Sequence, residues 1–85
     1  MEKFLKFIQD SKWIFAKTMS EIPHYYIVRD NLSATDQKLF DEFREFIDEK
    51  GYVKKFYTKE YKYIDIQGYK YWIIENILNR EEIKN

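Results

Sequence analysis

The chain has 85 residues, no cysteine, and 15 basic residues balanced by 15 acidic ones. That length is one domain, the missing cysteines exclude a disulfide framework, a thiolate zinc site and a cysteine nucleophile, and zero net charge argues against a general duplex-DNA binder, whose affinity comes from lysine and arginine displacing counterions. No stretch nears the roughly 18 apolar residues of a membrane-spanning helix, and the N-terminal MEKFLKFIQD is too short and too acidic for a secretory signal; the expectation is a soluble, cytoplasmic protein of a bacterium or an infected host cell, with no membrane partner.

Phe4, Leu5, Phe7 and Ile8 recur at helical spacing and predict a short N-terminal helix. KWIFAK (12–17) and HYYIVR (24–29) are rich in aromatic and β-branched residues and predict two strands. The TMSEIP segment between them is too long for a tight turn and reads as an exposed loop, where function often sits. Ser33, three residues before Asp36, approximates a capping box. Leu39, Phe40, Phe43, Phe46 and Ile47 form one apolar stripe, and Gly51 follows Lys50 as a left-handed stop. Together they predict a helix over 34–49, whose outer face carries Asp36, Asp41, Glu42, Glu45, Asp48 and Glu49.

After Gly51 the period becomes two, and YVKKFYT, YKYIDIQ and YKYWII predict three strands. A two-residue turn at Gln67-Gly68 pairs Ile66 with Tyr69, Asp65 with Lys70, Ile64 with Tyr71 and Tyr63 with Trp72. One face then holds Ile64, Ile66, Ile73, Tyr69 and Tyr71 and suits packing on the helix. The other holds Asp65, Lys70, Tyr63, Trp72, Tyr61 and Ile74. A final ILNR (77–80) predicts a short edge strand within a partly polar tail over 76–85. The predicted fold class is α+β: a single domain over 1–85, with a mostly antiparallel sheet of four to six strands and the long helix on one face.

His24 is the only histidine, the residue type suited to acid–base work near neutral pH. It is the candidate general acid or base, with Tyr26 orienting it and Lys17 and Thr18 as its nearest partners. One histidine and no cysteine leave only carboxylates to complete a metal set, so no metal site and no cofactor is implied. Lys17, Thr18, Arg29 and Arg80 form a candidate phosphate clamp. Tyr63 and Trp72 are candidate stacking surfaces for a base, and Asn79 a reader of its edge. Two distant glycines build no phosphate loop, and no serine–histidine–acid order stands out. Each choice has a plainer counterpart: a histidine satisfied by a loop carbonyl, surface charge, and tyrosine as a strand former on a half-exposed sheet.

Trp13, Phe15 to Met19, Ile22 to His24, Tyr26, Val28 and Arg29, followed by Tyr61, Tyr63, Asp65, Gly68 to Trp72 and Asn79-Arg80, make a pattern W-x-F-A-K-T-M … I-P-H-x-Y-x-V-R … Y-x-Y-x-D … G-Y-K-Y-W … N-R. In this the chain resembles a family of small proteins of bacterial and phage genomes. Ser20 stands where proline is usual, and the stretch between Trp72 and Asn79 is shortened. The resemblance implies that these polar residues form one wall of a pocket; it supplies no mechanism. The expected function is a small nucleotide-binding protein, or a metal-independent phosphodiesterase, for a nucleotide, cyclic oligonucleotide or nucleic-acid end. In a phage counter-defence role it would sequester or cleave a signalling nucleotide. The alternative is a protein–protein interaction module or inhibitor of a host enzyme, acting through the acidic helix or the tyrosine-rich sheet face. Exposed aromatic strands also allow a homodimer.

Overall fold

A computed structural model describes residues 2–9, 12–16 and 22–83 of the chain. In chain order these form α1 (Glu2–Gln9), β1 (Ile14–Ala16), β2 (His24–Val28), a single 3-10 turn (Arg29–Asn31), α2 (Ala34–Lys50), β3 (Tyr52–Phe56), β4 (Lys59–Ile66), β5 (Tyr69–Ile74) and β6 (Ile77–Glu82). The fold is α+β. Its strands make one six-stranded sheet in the order β1-β2-β6-β5-β4-β3, with every neighbouring pair antiparallel.

α2 starts where the Ser33 hydroxyl accepts a hydrogen bond from the Asp36 amide at 3.2 Å, satisfying one of the first-turn donors. It lays Phe40, Phe43 and Ile47 into the core, beside Phe4, Phe7 and Ile8 of α1 and Ile27, Ile66, Tyr71 and Leu78 of the sheet. Phe4 and Phe43 meet at 5.2 Å between ring centroids, and Phe43 meets Tyr71 edge-on at 6.0 Å. Each such buried side chain contributes about 2–3 kcal/mol of transfer free energy, and both helices take it from the same face of the sheet.

Gly51 ends α2 for a reason other than the left-handed stop expected from its position. Its φ of −76° is ordinary extended backbone. What requires glycine is close approach, since a Cβ there would press on the Ile47 carbonyl oxygen and lie 2.8 Å from that of Tyr63. The Gln67-Gly68 turn is as expected: φ is +50° and +85° at its two residues, and the four predicted β4–β5 partners all pair.

β6 departs from expectation. ILNR begins a strand that runs to Glu82 and lies inside the sheet, bonded to β2 on one side and β5 on the other. A polar strand can take a central place because period two hides half of it: Leu78 is fully buried between Ile27 and Ile73, its cross-strand partners. The TMSEIP loop, apart from Ile22 and Pro23, lies outside the described residues.

Candidate functional site

Residues paired across an antiparallel ladder project to the same face, so the registers sort the sheet into two surfaces. The inner surface carries Ile27, Leu78, Arg80, Tyr71, Ile64 and Ile66 toward the helices. On the outer surface, Ile14, Tyr26, Asn79, Trp72, Tyr63 and Tyr52 are successive partners and form one row crossing all six strands. At the usual strand spacing such a row is about 24 Å long. His24, Glu81, Lys70 and Asp65 make a parallel row on one flank; Tyr61 and Lys54 pair on the other.

The rings of the outer surface touch. His24 and Trp72 have centroids 5.5 Å apart, Trp72 and Tyr61 6.1 Å, and Tyr63 and Tyr52 5.7 Å. His24, Tyr26, Trp72 and Tyr63 are half-buried, whereas Tyr52 is 63% exposed on the edge strand. His24 Nε2 lies 2.9 Å from Asn79 Oδ1, and Asn79 Nδ2 donates to the Ile77 carbonyl at 3.3 Å. With the amide nitrogen committed to a carbonyl, Oδ1 is the atom facing the ring and must accept, so His24 carries its proton on Nε2. Asn79, and not Tyr26 as the sequence reading had it, orients the imidazole.

Lys70 holds its Nζ 4.9 Å from the centre of the Tyr63 ring and is a cross-strand partner of both Asp65 and Glu81. Burial and the adjoining Lys54 ammonium push its pKa below the usual lysine value, against the pull of Glu81 and Asp65. Lys54, on the far flank of the row, therefore reaches close enough to Lys70 for the two ammonium groups to act on each other. Two like charges drawn together on a surface of rings are a ready seat for an anion.

The remaining predicted site residues go elsewhere. Arg80 is on the inner surface, where its guanidinium sits 4.5 Å from the Trp13 ring, 4.5 Å from Tyr69 and 4.8 Å from Tyr25. It donates from Nη1 to the Ile8 carbonyl at 3.4 Å, the same oxygen that Trp13 Nε1 reaches at 2.9 Å. Burial raises the pKa of the neighbouring Tyr71 hydroxyl, and Arg80 draws it part of the way back. Arg80 is therefore a packing cation and not a phosphate clamp. Arg29 makes a two-pronged pair with Asp41 of α2, both contacts at 2.8 Å; this bond raises the arginine pKa and lowers the carboxylate's. Tyr63 is on the outer surface, but its ring is capped by Lys70. Lys17 and Thr18 lie outside the described residues. The structure thus brings together His24, Tyr26, Trp72, Asn79 and Tyr63, and separates Arg29 and Arg80 from them.

Lys54, Lys70 and Tyr52 are functional candidates that sequence reasoning did not single out. The signal for Lys70 was its predicted pairing with Asp65 beside the Tyr63–Trp72 pair. The signal for Arg80 was Glu75-Asn76, a second two-residue turn, which pairs Tyr71 with Arg80 and so assigns it to the inner surface.

A cleft of about 210 Å³ lined by Ile22, Lys70, Glu81, Glu82 and Ile83 opens at the flank of the row. It is smaller than the roughly 300 Å³ at which small-molecule pockets begin, so a ligand here lies on the sheet and not in a hole. The acidic face of α2 is largely paired within the fold. Lys12 holds Asp36 at 2.6 Å, Arg29 holds Asp41, and Lys3 reaches Glu42 at 3.4 Å. Glu45 and Asp48 of that face have no cation in these pairs, so the face is neutralised only in part. Comparison with protein-family models, curated proteins and solved structures returns no match.

Proposed function

We propose that this protein binds a nucleotide ligand on the outer sheet surface, stacking a base on Trp72 and its neighbours, and that it retains the ligand without turning it over. The observation carrying the reading is the His24–Trp72 pair at 5.5 Å within a row of rings facing away from both helices. Base–aromatic stacking contributes on the order of 1–3 kcal/mol per base, and Lys70 and Lys54 supply charge for a phosphate beside it.

Retention is favoured over cleavage by the state of His24. Phosphodiester cleavage without a metal needs a base and an acid both within reach of the reacting oxygens. The His24 Nε2–H donates to Asn79, an amide that serves as neither acid nor base, and this leaves Nδ1 as a lone base with no acid set opposite it among the described residues. Glu81, its cross-strand partner, makes no bond to it among the described residues. Retention without turnover suits a protein that withdraws a signalling nucleotide from use, as a phage counter-defence role would require.

The two tryptophans make a direct test. In proton–nitrogen correlation spectra, AMP, UMP or cyclic di-AMP should move the Trp72 indole signal and leave that of Trp13, whose N–H is held by the Ile8 carbonyl. Trp72→Ala should weaken binding about tenfold or more, read from the shifts of the neighbouring His24 and Asn79 side-chain signals, and the nucleotides should be recovered intact. Absence of any shift at millimolar concentrations would sink the reading. Cleavage that His24→Ala removes would replace binding with catalysis.

A further inference from the structure

We infer that the ligand of the outer surface is an extended single strand of nucleic acid lying across the β-strands, not a lone nucleotide. The inference rests on the nucleotide-binding reading above and adds to it the length and direction of the ligand. The row from Tyr26 through Trp72 and Tyr63 to Tyr52 places four aromatic side chains on four different strands, and at strand spacing it far exceeds the width of one base. The row has no deep enclosure beside it, because the cleft at Lys70 is only about 210 Å³, and the larger cavity of about 400 Å³ lies against Arg44, Ile47 and Asp48 of α2.

Charge is placed where such a strand needs it. Lys70 lies over the Tyr63 ring from one flank of the row, and Lys54, near enough to press on its charge, stands on the other. Tyr63 lies between Trp72 and Tyr52. A phosphate seated between the two ammonium groups relieves their repulsion and leaves the bases on either side free to stack on Trp72 and Tyr52. The row ends on the β3–β4 hairpin, where Lys54 and Lys59 share the outer surface, while Lys55 pairs with Glu60 and Lys62 donates to the Asp48 carbonyl on the helix side, so the attraction for a polyanion at this end rests on Lys54, Lys59 and Lys70. A duplex is disfavoured, since its bases are already stacked on one another. Sequence preference should be weak, because Asn79, the natural edge reader, is committed to His24 and the Ile77 carbonyl.

Fluorescence anisotropy with labelled oligothymidylates, from a mononucleotide to an octanucleotide, tests the inference at several salt concentrations. Affinity should rise at least about tenfold from mononucleotide to tetranucleotide and then level off. The double substitution Lys54→Gln with Lys70→Gln should weaken tetranucleotide binding about tenfold and reduce the log–log salt slope by about 0.7, as for one lost phosphate contact on a single strand. Tyr52→Ala, at a position 63% exposed and so harmless to the fold, should shorten the length at which affinity levels off. Equal affinity for mononucleotide and longer probes would overturn the extended ligand while leaving nucleotide binding intact. Duplex bound as tightly as single strand would overturn it too, since phosphates alone would then explain binding. Failure of every probe to bind would remove both readings.

Discussion

Arg80 and Lys70 stand on adjacent strands of one sheet, and each sets a cation against aromatic rings, but the two arrangements differ in kind. Arg80 is enclosed by Trp13, Tyr25 and Tyr69 on the helix side and reaches the Ile8 carbonyl, with its Nε buried and unpartnered. Lys70 lies on one ring, beside a second lysine, on the side away from the helices. A planar guanidinium can stack on several rings at once and is weakly hydrated, so it tolerates enclosure; an ammonium is strongly hydrated and does not. The first arrangement stabilises the fold. The second leaves charge available to a ligand.

Arg80→Ala should have the largest effect. It removes three cation–ring contacts and the aliphatic stem packed among them, destabilising the protein by about 3 kcal/mol and lowering Tm by roughly 15 °C in a domain of this size. A loss below about 1 kcal/mol in urea denaturation would erase the distinction between the two cations. Next, Gly51→Ala should cost about 2 kcal/mol, because the new methyl meets backbone oxygens on both sides of the helix–strand junction. Gly51→Asn should do no better, since the position is not left-handed; rescue by asparagine would restore the left-handed stop.

On the outer surface the expected effects shift from stability to binding. Trp72→Ala should cost roughly 1 kcal/mol of stability through lost cross-strand ring contacts but about tenfold or more in nucleotide affinity. If stability falls as far as in Arg80→Ala, the ring is core and not platform. Lys70 gives a pH signature. Its proton is held less tightly in the folded chain than in the unfolded one, so its charged form opposes folding near neutrality. That opposition fades as pH rises through the lowered pKa toward 10.5. Nucleotide affinity should fall over the same window as the charge is lost. Lys70→Gln should flatten both trends and be neutral or slightly stabilising in thermal melts. The smallest change is at the turn that sets the register. Gln67 has φ of +50°, and Gln67→Asn, which suits that conformation better, should add a few tenths of a kcal/mol.

Most of the described residues of the W-x-F-A-K-T-M … N-R pattern divide between the two surfaces. Trp13, Tyr69, Tyr71 and Arg80 build the inner cage, while His24, Tyr26, Tyr63, Asp65, Lys70, Trp72 and Asn79 lie outside. A polar pattern in a sequence does not separate packing from recognition, because a buried arginine among rings and an exposed one on phosphate are written with the same letters.

What the sequence determined by itself was local. The Ser33 cap, the apolar stripe of α2 and the Gln67-Gly68 turn act over a few residues, so the long helix, the β4–β5 register and the face of every residue in that hairpin were legible without coordinates. The tertiary structure decided the rest through contacts between distant segments: β6 entering between β5 and β2, which joins His24 to Asn79 across 55 positions, and Arg29 meeting Asp41 instead of the sheet. Strand pairing at such separation depends on which faces can be buried together once the helices have docked. No short stretch carries that information, and it is what sent Arg80 inward and left Trp72 and Lys70 on the open side.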